Sequence, residues 1–116
     1  MVTVHKRAAG VVHELVRTAH PASIGSIETS LGQEDLQSFS LDAARATGLA
    51  VDGLRDVLAC ELLSLVQAQR LGGQVPSGTA DLMMQLDDVL PSGTADRPFG
   101  KDVTVVAEAL GAGWGL

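Results

Sequence analysis

The segment from 51 to 69 constrains the fold most, because its apolar side chains recur at the i, i+3, i+4, i+7 spacing of an amphipathic helix. The predicted buried stripe consists of Val51, Leu54, Val57, Leu58, Glu61, Leu62, Leu65 and Gln69. The helix should end at Gly72-Gly73, since glycine commonly follows the last helical residue. A chain of 116 residues has the size of one domain. The sequence therefore predicts a single all-α domain, residues 1–116, built as a helical bundle around one long central helix.

Shorter helices are predicted around it from similar periodicity: Ala8–Ala19, Glu34–Thr47, Leu82–Val89 and Val103–Leu110. Residues 1–7 should fray, and Pro21 should end the first helix because proline disfavours helical geometry in the residue before it. The polar stretch Ala22 to Gly32 is predicted to be an ordered loop. Gly48 should end the second helix and Asp102 should cap the last one. The glycine-rich tail, residues 111–116, is predicted to be flexible.

The composition favours assembly with other protein chains and disfavours binding to nucleic acid and insertion into a membrane. Hydrophobic residues make up 46% of the chain and aromatic residues 3%, with a mean hydropathy of +0.23, which suits an aliphatic bundle that packs against other chains. A net charge of −6 with scattered basic residues disfavours nucleic acid. No apolar run approaches the roughly 20 residues of a membrane span. A single cysteine, Cys60, indicates a reducing compartment, so the predicted location is the cytoplasm.

The hexapeptide Pro-Ser-Gly-Thr-Ala-Asp occurs twice, at 76–81 and at 91–96. Two copies are too few for a solenoid, so we interpret them as parallel turn and helix-start signals rather than as a repeated ligand site.

A polar stretch from His20 to Asp35 separates the first two predicted helices and ends in Gln33-Glu34-Asp35. Taken alone, this triplet is typical of a helix start with an acidic first turn. The later helix contains Cys60-Glu61-Leu62-Leu63 and Gln67-Ala68-Gln69. With these motifs, the region from 11 to 110 resembles the C-terminal part of the aromatic amino acid ammonia-lyases, above all the histidine branch.

The resemblance implies a role for each residue of the polar stretch. Glu34 matches the family's glutamate that reaches the bound substrate, so it is the predicted catalytic and substrate-binding residue. Gln33 is the second predicted substrate-binding residue, with Asp35 and the loop residue His20 in supporting positions. A carboxylate suits this task because it accepts hydrogen bonds from an ammonium or imidazole group. Leu36 stands where the histidine branch usually has histidine, which leaves the amino acid substrate open.

The family's electrophile, a methylidene imidazolone (MIO) made from an internal Ala-Ser-Gly, has no source in these 116 residues, and the chain contains no tyrosine for the family's acid-base work. No cofactor is therefore expected in this chain, and MIO is expected in a larger partner chain. One hypothesis is a small subunit of a split ammonia-lyase or aminomutase, inactive alone, that acts with the partner on an aromatic amino acid. The alternative is a non-catalytic helical interaction or regulatory protein.

Other candidate sites are weaker. His5, His13 and His20 lack recognised metal-ligand spacing, so no metal is expected, although His13 and His20 could share a face of the first helix. Cys60 is interpreted as a small core residue rather than a nucleophile.

Overall fold

A computed structural model describes residues 1–25, 30–33, 39–74 and 77–113. Every regular element in these ranges is helical, which confirms the predicted all-α fold with one long helix. The helices are α1 (Val2–Thr18), α2 (Ser40–Arg70), α3 (Ala80–Val89) and α4 (Phe99–Gly111), with one short turn of left-handed backbone at Ser30–Gly32.

Helix α1 begins at Val2 and not at the predicted Ala8. The early start is stabilised by tertiary contacts that periodicity does not reveal, because Val4 is buried in the core and the Arg7 side chain binds Asp56 of α2. The other end is as predicted: the last helical residue is Thr18, two residues before His20.

Helix α2 is continuous over 31 residues, about 46 Å at 1.5 Å per residue. The prediction that Gly48 separates two helices is therefore wrong. An isolated glycine costs a helix only about 1 kcal/mol relative to alanine, and the flanking Leu and Ala residues favour the helix. The predicted start at Glu34 lies outside the described residues, and the described helix begins at Ser40.

The C-terminus of α2 ends as predicted at the glycine pair. Gly72 has a φ of +99°, a left-handed conformation that glycine adopts without steric cost. Its N–H donates to the Gln69 carbonyl at 2.9 Å, and the Gly73 N–H donates to the Ala68 carbonyl at 2.9 Å. These are the two bonds of a Schellman motif, so the last carbonyls of the helix are satisfied.

The hydrophobic core occupies one end of the molecule, where the N-terminus of α1 and the last third of α2 pack with α3 and α4. The buried apolar residues are Val4, Ala59, Cys60, Leu63, Val66, Met83, Leu86, Leu90, Phe99, Val103 and Val106. The prediction that the whole stripe on α2 is buried is wrong. Glu61 is exposed, as are Val51, Leu54, Leu58 and Leu65, because the face containing Leu63 and Val66 turns inward instead.

The last helix starts earlier than predicted, at Phe99, with Pro98 at the N-cap position. Asp102 is therefore not the cap. Its buried carboxylate instead accepts a hydrogen bond from Arg97 Nε at 2.7 Å, and the Arg97 guanidinium lies 5.0 Å from the centre of the Phe99 ring. Of the predicted flexible tail, Gly111 ends α4 and residues 114–116 lie outside the described ranges.

The molecule is elongated, with dimensions of 67 × 28 × 22 Å and a radius of gyration of 19.6 Å. A compact chain of this length would have a radius of gyration of about 13 Å. The difference arises because α1 and the first half of α2 extend away from the core as a pair. Among the helices of the described ranges, we find none with both the length and the hydropathy that a bilayer crossing requires.

Candidate functional site

The chain between the end of α1 and the start of α2 carries the predicted site motif. His20 lies two residues beyond the end of α1 and is exposed. Gln33 is also exposed, and its backbone N–H donates to the Ser30 carbonyl at 3.2 Å. Among the described residues, no side-chain hydrogen bond joins His20 to Gln33. Glu34 and Asp35 lie outside the described residues, so their predicted roles stay predictions.

An open groove of about 360 Å³ lies beside His20, between the end of α1 and the first half of α2. Its lining residues are Leu15, Thr18, Ala19, His20, Pro21, Ala22, Ala43, Ala46, Thr47 and Ala50. The groove exists because α2 presents alanines at positions 43, 46 and 50, whose spacing of three and four residues places them on one helix face. Among the described residues that line this groove, His20 is the only ionisable one, and most of the others are small and apolar.

The turn after α1 fixes where His20 lies. Pro21 favours an extended conformation at His20, which stops the helix. The Ile24 N–H then donates to the Pro21 carbonyl at 3.0 Å, and Gly25 continues the turn with a φ of +85°. His20 is thus held at the mouth of the groove by backbone geometry. His13 is on α1 but His20 is beyond its end, so the prediction that both lie on the first helix is wrong.

Among the described residues on either side of the Gln33-Glu34-Asp35 motif, three other than glycine have left-handed backbone: Ser30, Leu31 and Phe39, with φ of 55°, 56° and 49°. This conformation is uncommon for bulky side chains and is often found in segments that take part in binding. Phe39 occupies the N-cap position of α2, where its carbonyl accepts the Ala43 N–H at 3.0 Å. Leu31 is fully exposed.

A second groove, of about 340 Å³, runs between the middle of α1 and the middle of α2. Its lining residues are Val11, Glu14, Leu15, Thr18, Leu49, Asp52, Gly53 and Asp56. The floor is apolar and the rim is acidic. Sequence reasoning missed this groove, although Asp52 and Asp56 are four residues apart and therefore share a helix face.

The carboxylates of the second groove differ in their ion pairs. Arg7 binds Asp56 through two nitrogens, with Nη2 to Oδ1 at 2.8 Å and Nε to Oδ2 at 3.1 Å. Arg55 Nη1 donates to Asp52 Oδ1 at 2.9 Å. Within the described part of the chain, Glu14 has no ion-pair partner. Asp56 therefore mainly holds the helices together, whereas Glu14 presents an uncompensated charge at the groove.

Cys60 and the histidines do not form a further site. Burial raises the pKa of the Cys60 thiol, Arg7 lowers it and Asp56 raises it further, so the neutral thiol is favoured at neutral pH. This agrees with the interpretation of Cys60 as a small core residue. In the ranges that the structure covers, no three His, Cys, Asp or Glu side chains are arranged to hold a metal ion.

Comparison with known proteins extends the similarity beyond the local motif. The family model for aromatic amino acid lyases matches residues 1–88, which include α1, α2 and most of α3. A histidine ammonia-lyase of Geobacillus thermodenitrificans is 42% identical over 101 residues, which are 85% of this chain and 20% of that enzyme. No solved structure is significantly similar to this chain.

Two further relatives give the same coverage. The histidine ammonia-lyase of Macrococcus caseolyticus is 38% identical over 89% of this chain and 21% of its own length. The histidine ammonia-lyase of Sorangium cellulosum is 34% identical over 91% of this chain and 21% of its own length. The chain thus spans about a fifth of the length of the curated relatives it matches.

Proposed function

Because the chain belongs to the aromatic amino acid lyase family, we propose that it is the small subunit of a split ammonia-lyase and completes the active site of a larger chain. The observation that carries this proposal is that the polar motif with Glu34 lies within the residues matched to the family, whereas these 116 residues contain neither an Ala-Ser-Gly from which MIO could form nor a tyrosine.

The residues present here do not fit the family's prosthetic group. The 116 residues contain no Ala-Ser-Gly from which MIO could form, and no tyrosine. In the described ranges, both grooves beside the motif are open to solvent, so neither encloses such a group. The electrophile and the tyrosines are therefore assigned to the partner chain.

This chain would contribute substrate binding. The Glu34 carboxylate can accept hydrogen bonds from the substrate's ammonium group or from an imidazole, and the Gln33 amide can donate or accept one beside it. His20 and Asp35 are supporting residues that would keep this segment in place. The reaction of the assembled enzyme would release ammonia from an aromatic amino acid and leave an arylacrylate. The single, buried Cys60 is compatible with work in a reducing cytoplasm.

Co-purification of the tagged chain from its native host, combined with an activity assay, tests the proposal. Mass spectrometry should identify a larger lyase-like chain that contains Ala-Ser-Gly. The recovered complex should produce arylacrylate absorbance from histidine, phenylalanine or tyrosine. Recovery of the chain alone, or with an unrelated protein and without turnover, would instead support a non-catalytic interaction protein.

Two variants examine the role of Glu34 in that complex. Glu34→Gln should leave assembly intact but remove most turnover or change the preferred substrate, because the amide lacks the charge that binds ammonium. Glu108→Gln, an exposed glutamate on α4, is the matched control and should behave as the wild type. Equal kinetics for both variants would remove Glu34 from the active site.

A further inference from the structure

The segment that joins α3 to α4 is held by side chains and not by backbone hydrogen bonds. We call residues 91–98 the strap. All of its residues except Arg97 are exposed. In the part of the chain that the structure describes, no backbone N–H of residues 92–96 donates to another backbone group. A segment without such bonds is flexible unless other contacts hold it.

Arg70, the last residue of α2, holds the strap from one side. Its Nη1 donates to the Pro91 carbonyl at 2.8 Å and to the Gly93 carbonyl at 3.3 Å. Its Nη2 binds Asp87 Oδ1 of α3 at 2.6 Å. The Arg70 side chain is mostly buried, whereas the Asp87 side chain is 50% exposed. One guanidinium thus joins the ends of α2 and α3 to the strap, through an ion pair that solvent reaches.

Arg97 holds the strap from the opposite side. Its Nη1 donates to the same Gly93 carbonyl at 3.5 Å, and its Nε binds Asp102 on α4. This pair is shielded from solvent, since the Asp102 side chain is only 8% exposed. The third nitrogen of the guanidinium, Nη2, is buried and has no hydrogen-bond partner among the described residues.

The four charged groups form one line across the strap, in the order Asp87, Arg70, Gly93 carbonyl, Arg97 and Asp102. The two guanidiniums meet at a single oxygen, and both bonds to it exceed the usual length of about 2.9–3.0 Å. The closed arrangement therefore places like charges side by side and leaves one buried donor unpaired, which costs free energy. It is stable only while the carboxylate at each end compensates its own arginine.

We propose that the strap is a latch that is closed while both arginines hold the Gly93 carbonyl and is released when the exposed Arg70–Asp87 pair is broken. Release lets water reach the unpaired nitrogen of Arg97 and separates the two cations. Helices α3 and α4 keep their places, because Leu90 and Phe99 on either side of the strap are buried in the core.

Ionic strength is the signal to which this latch responds. Salt screens charges that solvent reaches and acts much less on buried pairs. Asp87 lies at the exposed end of the line and Asp102 at the buried end, so salt loosens the outer arginine first. This inference is independent of the proposed function, since all the residues involved lie in or next to α2, α3 and α4.

Backbone order parameters from nitrogen-15 NMR relaxation of the full 116-residue chain test the latch. At low salt Gly93 and Thr94 of the wild type should have values near about 0.85, as in a rigid backbone. In Arg70→Ala they should fall below about 0.6, while Val103 and Val106 in α4 stay near about 0.85. Alanine is as good a helix former as arginine, so α2 itself is not weakened.

Arg45→Ala is the matched control. Arg45 is on the same helix, and its ion pair with Asp42, at 3.9 Å, is also exposed, but it makes no contact with the strap. This variant should keep the order parameters of the wild type. Arg70→Ala with an ordered Gly93, or with α4 loosened together with the strap, would overturn the proposal.

Two conservative variants separate charge from geometry. Arg70→Lys keeps the charge but cannot reach two carbonyls and a carboxylate at once, so its strap should be nearly as mobile as in Arg70→Ala. Asp87→Asn changes a half-exposed side chain and leaves the core intact. Its strap should be loosened already at low salt. A strap as ordered as in the wild type in either variant would contradict the latch.

A salt titration tests the signal directly. Between about 0.1 M and about 1 M salt the screening length falls from about 10 Å to about 3 Å, so the order parameter of Gly93 in the wild type should drop toward the Arg70→Ala value. The Arg97 Nε–H resonance should not shift, because its bond to Asp102 is buried. Asp87→Asn should respond little. An unchanged wild-type strap, or an equal response in Asp87→Asn, would overturn the role of the exposed pair.

Discussion

Replacement of Gly48 by alanine should stabilise the first half of α2. No atom lies within 4 Å of the position that a Cβ at residue 48 would occupy, so the methyl group meets open space. The gain is then the difference in helix propensity, about 1 kcal/mol. Residues 9–25 and 39–58, which we call the arm, contain no buried side chain. This energy should therefore appear as slower local opening of the arm, with little change in the global free energy of unfolding. A gain of about 1 kcal/mol corresponds to about fivefold slower amide exchange.

Gly53→Ala is the matched comparison on the same helix. Its propensity gain is the same, but its Cβ would lie 2.6 Å from Leu15 Cδ1. Displacing that leucine costs roughly 1–3 kcal/mol, the usual penalty of overpacking, which cancels or exceeds the gain. Exchange in the arm should therefore slow for Gly48→Ala and stay equal or accelerate for Gly53→Ala. Faster exchange in Gly48→Ala would refute the continuous helix α2. Equal slowing in both variants would refute the close approach of α2 to α1 at Gly53.

Three other outcomes are expected at the core end of the molecule. Leu63→Ala should lower the free energy of unfolding by about 2–5 kcal/mol in urea titrations, since Leu63 is fully buried; a loss below about 1 kcal/mol would contradict this packing. Arg97→Ala should lower the free energy of unfolding by about 3 kcal/mol in the same assay, because it leaves the Asp102 carboxylate buried without its partner. A variant as stable as the wild type would show that the ion pair is dispensable. Burial raises the pKa of Cys60 above 9.0, so its contribution to stability is present below pH 9.0 and is lost as the pH rises through the folded-state pKa. Wild type should therefore lose more stability than Cys60→Ala between about pH 8 and pH 11 by thermal unfolding, and identical pH profiles would contradict the shift.

Periodicity predicted the helical class, the long helix and its glycine end, because these depend on local spacing and turn chemistry. It did not predict which face of α2 is buried. Apolar residues lie on more than one side of this helix, and only the packing of α3 and α4 selects the face with Leu63 and Val66 and leaves Glu61 exposed. The start of α1 was missed for the same reason, since Val4 is helical through contacts with distant residues.

The two identical hexapeptides show where local sequence stops being sufficient. The first copy is a helix-start signal, as predicted, with Thr79 at the N-cap of α3, although Ala80-Asp81 are helical and the helix begins two residues before the predicted Leu82. In the second copy no helix begins at Ala95-Asp96, because Pro98 disfavours helical geometry at Arg97. Arg70 also holds this copy from outside, donating to the Pro91 carbonyl at 2.8 Å. The same six residues therefore differ in structure because their neighbours differ, both along the chain and across the fold.

The candidate site was predictable only in part. Its residue types came from resemblance, and the structure locates His20 and Gln33 on the surface between α1 and α2. The acidic second groove could not be predicted from the sequence. Glu14 and Asp52 belong to different helices, and no local pattern reveals that these helices lie side by side there.

The Arg7 side chain has a consequence for how the chain reaches its fold. It binds Asp56, 49 residues later, and its Nη1 donates at 3.3 Å to the Gly100 carbonyl, 93 residues later. Contacts between residues so far apart in sequence require a large loop to close, so they form late and slow the folding reaction. Helix α1 therefore cannot take its final position until α4 has been synthesised, and until then Val4 stays exposed to other chains.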